Sequence, residues 1–297
     1  MKVEIKDVDV KRGVVRITYF DERWYFDPAK KANGLPEYVA RPAITWIGGY
    51  WHKGIEFYKY LANINGWEQA EKNLEEAGDR GTKIHAAVEM LLSGNPEIKH
   101  DMKLINPKTG QEEEITGYEF EAIKSFSDFW QDEILANYNN VRVLSVEKSL
   151  TCKGGFGYER GFGCTVDLIL QGEREGKTVI LIIDHKTGQN IWKSATIQLT
   201  GIKKALIEEG SIEGIESAEL YILQLGYKRN KFKKYKPTKV EYRWDMFLNS
   251  YGMWQEENKD SKPEQKEFPL SISLNLDGVI SPDGTPYINK KSKKIKI

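Results

Sequence analysis

Lys177–Gln189 reads KTVILIIDHKTGQ: five aliphatic residues from Val179 to Ile183, then Asp184, His185 and Lys186. A run this short and this apolar reads as a strand buried on both faces. Side chains alternate along a strand, so Asp184 and Lys186 share one side and His185 takes the other. An acid and an amine at the end of a buried aliphatic run need partners or a task.

The segment just before it, GFGCTVDLILQ (Gly161–Gln171), is a second strand and carries another enclosed acid, Asp167. The connection GEREG (172–176) is turn-like, so the two strands pair and bring Asp167 and Asp184 together. Two close carboxylates repel each other, and a divalent cation is their natural partner; oxygen donors favour Mg2+ or Mn2+ over zinc. NVRVLSVEKSL (140–150) is a third strand, joined by the glycine-rich GGFGYERGFG (154–163). That stretch lacks the G-K-[ST] ending of a phosphate loop and reads as a turn.

Helices surround these strands. Over Glu68–Leu92, Ile84, Ala87, Val88, Leu91 and Leu92 recur at helical spacing, and His85 and Glu89 share one face beside that stripe. A helix over about Tyr118–Asn137 buries Phe120, Ile123, Phe129, Trp130 and Ile134. Another starts with Ser194 as N-cap and stops at Gly210, followed by the strand AELYILQLGY (218–227). Residues 244–260 suggest one more helix, and the alternating opening of the chain, with a turn signal near Lys11–Gly13, reads as a β-hairpin. This order implies an α/β fold, a mixed sheet flanked by helices.

The chain has 297 residues, 40% hydrophobic and 30% charged, enough for one large domain or two modest ones. No apolar run is long enough to span a bilayer and no signal-peptide core precedes the first strand, which sets the expectation of a cytoplasmic protein without a membrane partner. Two cysteines, Cys152 and Cys164, exclude a four-cysteine iron-sulfur cluster and argue against a disulfide framework. Lys plus Arg balance Asp plus Glu at 44 each, so only the distribution of charge is informative. In Tyr227–Trp244, eight basic residues face one acid with aromatics interleaved. This segment makes Lys228, Arg229, Lys231, Lys233, Lys234 and Tyr235 candidate DNA contacts, against the alternative of a solvated lysine-rich loop.

GTKIHAAVE (81–89), VEKSL (146–150), GFGCTVDLI (161–169), IDHKTG (183–188) and QLTGIKKAL (198–206) occur in the order and spacing of RecB-like nucleases of the PD-(D/E)xK superfamily, which the chain resembles over about 44–227. RPAITWIGGYWHKG (41–54) is similar to the leading segment of phage-type members. The resemblance implies a restriction-endonuclease-like core over 44–230, preceded by an accessory β segment (1–43) and followed by a basic, helical extension packed on it (231–297). It casts His85, Asp167 and Asp184 as metal ligands, completed by the backbone carbonyl of His185, and Lys186 as the catalytic lysine. Glu147 would ligate a second ion or orient a water, and Gln198 would position metal or phosphate. Where relatives often carry tyrosine, this chain has Ile202, which puts phosphate contact from that helix in doubt. The implied activity is a Mg2+- or Mn2+-dependent deoxyribonuclease without an iron-sulfur cluster, an exonuclease on DNA ends or single strands. A non-catalytic DNA-binding protein and a structure-specific endonuclease are the alternatives. Oligomeric state and cleavage polarity are not readable from the sequence.

Overall fold

The computed structural model describes residues 5–11, 14–19, 22–30, 36–94, 97–105, 111–155, 157–188, 190–227, 234–261 and 280. Its centre is a five-stranded mixed sheet built on the aliphatic run, now strand β9 (Lys177–Lys186). Outward from β9 on one side lie β8 (Phe162–Arg174) and β7 (Asn139–Cys152), both antiparallel to their neighbours. On the other side come β10 (Glu219–Leu225), parallel to β9, and β11 (Tyr235–Val240), antiparallel to β10. The parallel step needs a crossover, supplied by helix α5 (Lys193–Glu209).

Alternation along β9 feeds two cores. Ile180 and Ile182 face the helices α1 (Ile44–Gly49), α5 and α6 (Trp244–Asn258), where Ile47, Leu199, Phe247, Tyr251 and Trp254 are buried. Leu181 and Ile183 face α3 (Trp67–Leu92) and α4 (Gly117–Phe129), meeting Ile84, Val88, Ile123 and Phe126. A strand apolar on both faces is thereby satisfied on both. The short helix α2 (Ile55–Ala62) buries none of its residues.

Three expectations are refined. The opening of the chain is a four-stranded antiparallel sheet, β1 (Ile5–Lys11), β2 (Val14–Tyr19), β3 (Glu22–Lys30) and β4 (Pro36–Pro42), rather than a lone hairpin. It leans on the core through Tyr25, whose hydroxyl is 2.9 Å from Thr165 Oγ1; Gly163 gives the ring room, since a Cβ there would overlap it. The helix expected over Tyr118–Asn137 is α-helical only to Phe129 and continues as a π-helical turn, Trp130–Leu135. Its start is fixed by a capping box of Thr116 and Glu119. The α5 N-cap is Trp192 instead of Ser194, with no side-chain cap, whereas Gly210 ends the helix in the left-handed conformation as the sequence suggests. The ends of Lys103–Ile105 and Glu112–Glu114 pair as the small hairpin β5–β6. Among the described residues, no helix is long and apolar enough to cross a membrane.

Candidate metal centre

The β8–β9 hairpin turns through Glu175 and Gly176, both at positive φ (54° and 72°), as a two-residue turn of the primed type requires. That turn fixes the register: Leu168 pairs with Ile183, so the next step places Asp167 opposite Asp184. The two carboxylates meet at the end of β9, and the backbone N–H of His185 donates to Asp167 Oδ2 at 2.6 Å.

Glu147 reaches the same place from β7, whose register with β8 is unbroken here but whose backbone is left-handed at this residue. Val146 pairs with Leu168 and Lys148 with Val166, leaving Glu147 between them at φ 46°. The left-handed conformation is strained for a residue with a Cβ, and such strain persists where the surroundings over-determine it. The Glu147 carboxylate meets α3, where Oε1 lies 3.1 Å from His85 Nδ1. Its neighbour Lys148 goes elsewhere, buried and donating to Glu209 and Ser211, so the two residues are not a solvated pair.

His85 therefore stands beside two carboxylates, Glu147 and Asp167, with Asp167 Oδ1 3.7 Å from Nδ1. Burial opposes its imidazolium, but the Asp167 and Glu147 charges outweigh burial and raise the pKa to about 9. Desolvation pushes the Asp167 and Asp184 carboxyls up, only partly countered by His85 and Lys186. Lys186 Nζ sits 2.6 Å from Asp184 Oδ2; desolvation disfavours the ammonium, yet Asp184 and Asp167 raise its pKa overall. Burial, then the charges of His85 and Lys186, hold the His185 imidazole neutral.

Five of the six expected side chains are thus brought together: those of His85, Glu147, Asp167, Asp184 and Lys186. Gln198 is not joined to them by a hydrogen bond or ion pair; its side chain packs on α1, where Gly48 lets the two helices approach. Ile202 is buried in the core. The basic segment is less open than its composition suggests. Tyr235 is only 1% exposed, with its hydroxyl 3.1 Å from Asp132 Oδ2, so its ring is a core side chain and not a stacking platform. Lys234 is ion-paired with Glu121 and Lys239 with Glu219. Lys228, Arg229, Lys231 and Lys233 lie outside the described residues.

Residues 57–202 match the PD-(D/E)XK nuclease superfamily. No significant match to a curated protein is found. The architecture is the PD-(D/E)XK fold, and the match spans α3, β7, β8, β9 and the first half of α5, the elements that build the centre. Members of this nuclease superfamily generally use divalent metal ions. The side chains here fit one. Three buried or half-buried carboxylates gather against one ammonium and one imidazole, and desolvation disfavours the ionised Asp167 and Asp184, which a bound cation would stabilise. His85, Asp167 and Asp184 would hold the cation, with Glu147 beside them.

Sequence reasoning missed the supports of this centre. Tyr118 donates to the Thr187 carbonyl at 2.9 Å and Gln224 to the Gly188 carbonyl at 2.9 Å, fixing the chain that leaves β9. Gln224 had a signal: it is a polar residue between Leu223 and Leu225 in a mostly apolar strand, and the structure buries it to 1% exposure. Tyr118 had none.

Proposed function

We propose that the protein is a metal-dependent nuclease hydrolysing phosphodiester bonds in DNA, with His85, Asp167 and Asp184 as metal ligands and Lys186 as the catalytic residue. The observation that carries this reading is the convergence of three carboxylates, an imidazole and an ammonium at the end of one strand, inside the segment matching a nuclease superfamily.

A bound Mg2+ or Mn2+ would supply Lewis acidity and a water of lowered pKa at this position. Asp167 and Asp184 would supply carboxylate oxygens to the ion, Asp167 being held by the hairpin register and by the His185 amide. Glu147, next to His85, is placed to accept a proton from a water on that side. Lys186 is a third exposed, and its raised pKa favours the ammonium. It therefore serves as a cation hydrogen-bonding the developing charge on phosphate, better than as a base.

The preference for DNA ends or single strands, and a place in phage or bacterial replication, recombination or repair, follow from the likeness to RecB-like nucleases. A non-catalytic binder is disfavoured physically, because clustering desolvated carboxylates is costly and contributes nothing to binding a polyanion. The test uses end-labelled and circular DNA with Mg2+, Mn2+ or chelator. Lys186→Ala should lose about 10²–10⁴-fold in rate while binding DNA normally. Equal cleavage by Lys186→Ala and the unaltered protein would sink the reading.

A further inference from the structure

We propose that the imidazole of His185 is itself turned to the metal position and adds a second nitrogen ligand, so that the centre favours a first-row transition dication over Mg2+. This rests on the nuclease reading above and specifies its ion.

Strand alternation sends the His185 side chain away from Asp184 and Lys186, onto the face where α3 and α4 pack. On that face it does not meet only apolar residues. Its ring lies 5.4 Å from that of Phe126 and 5.6 Å from that of His85, edge-on to both. One ligand atom each from His85, Asp167 and His185 all fall within 4.8 Å of one another. Donors about 2.1 Å from a common ion are separated by up to roughly 4.2 Å, so small side-chain rotations close the set.

The second observation is an orphan. His185 is 2% exposed, and its Nε2 is buried with no hydrogen-bond partner. An unmade hydrogen bond at a buried polar atom is destabilising, and phenylalanine or leucine would fill the space beside Phe126 without that cost. An imidazole there is accounted for if a bound ion uses the ring.

Two imidazoles with a carboxylate form a donor set different in kind from an all-oxygen one. Nitrogen donors strengthen binding of first-row ions along the Mn2+ to Ni2+ series, whereas Mg2+ keeps oxygen ligands and water. The preference of this centre is then set by the residue between Asp184 and Lys186.

The test is Mn2+ binding by the full chain, followed by calorimetry against Mg2+ and by pulsed electron paramagnetic resonance with 15N-labelled histidine. Bound Mn2+ should couple to two histidine nitrogens in the unaltered protein and to one in His185→Phe. His185→Phe should lose about tenfold or more in Mn2+ affinity with Mg2+ affinity unchanged. Coupling to one histidine nitrogen in the unaltered protein overturns the inference without any variant, even if His185→Phe does not fold. If that protein still cleaves DNA with Mn2+, only the second ligand is lost from the account. A protein that binds neither ion and cleaves no DNA overturns this inference and the nuclease reading together.

Discussion

Glu147 offers a way to separate the backbone from the side chain at the centre of the site. At φ 46° it occupies a conformation that costs a residue with a Cβ roughly 1–2 kcal/mol and costs glycine nothing. Glu147→Ala and Glu147→Gly both remove the carboxylate, and with it the contact to His85 Nδ1 at 3.1 Å. That loss cancels between them. What remains is the relief of strain by glycine, less the extra chain entropy of about 0.5–1 kcal/mol that glycine loses on folding. Glu147→Gly should be the more stable variant by about 0.5–1 kcal/mol, or roughly 1–4 °C in midpoint for a chain of this size. Both variants are compared metal-free, by calorimetry and by urea unfolding, so that ligand binding does not enter. Glu147→Ala melting at or above Glu147→Gly would refute the argument, because the left-handed backbone at this position would then not be strained.

The other predictions concern the metal, the accessory sheet and acid stability. A divalent ion at a hundred times its Kd should stabilise the protein by about 2.7 kcal/mol, and Asp184→Asn should abolish that gain in a thermal-shift titration; an undiminished gain would place the ion elsewhere. Gly163→Ala introduces a Cβ that overlaps the Tyr25 ring and should cost about 1–3 kcal/mol, read as a lowered urea midpoint with earlier proteolysis within residues 1–43; unchanged values would contradict the packing of β3 on β8. Burial of Glu208 would raise its pKa, but hydrogen bonds from Tyr158 and Cys152 and the ion pair with Lys204 bring it below the usual carboxylate value. A depressed carboxylate stabilises above its unfolded pKa and loses that contribution as pH falls through the folded one, so Glu208→Gln should flatten the acid limb of stability against pH, measured by urea unfolding from neutral pH to about pH 4.

What was legible in the sequence was whatever depends on periodicity and local turn chemistry. The aliphatic alternation of Val179–Ile183 fixed a doubly buried strand, and GEREG fixed its hairpin partner. Together they set Asp167 across from Asp184. The helical stripe of 84–92 put His85 beside the core face, and motif order joined these pieces. Tyr235 misled, because a strand edge can carry lysines outward while its aromatic turns inward: Tyr235 fills a core position against Phe129. Nor did the sequence reveal that Gln198 packs on Gly48, since a helix position names a face without naming its neighbour.

The sequence alone therefore determined the elements, the sides on which their side chains emerge and the chemical character of the site, because these follow from bonds and repeats between near neighbours in the chain. Tertiary structure decided what meets across long separations. Glu147, left-handed within β7, meets His85, 62 positions away, and Tyr118 reaches the Thr187 carbonyl across 69. His185 is the clearest case. Alternation sends it away from Asp184, but only the docking of α3 and α4 on that face decides whether away means solvent, an apolar core, or another imidazole.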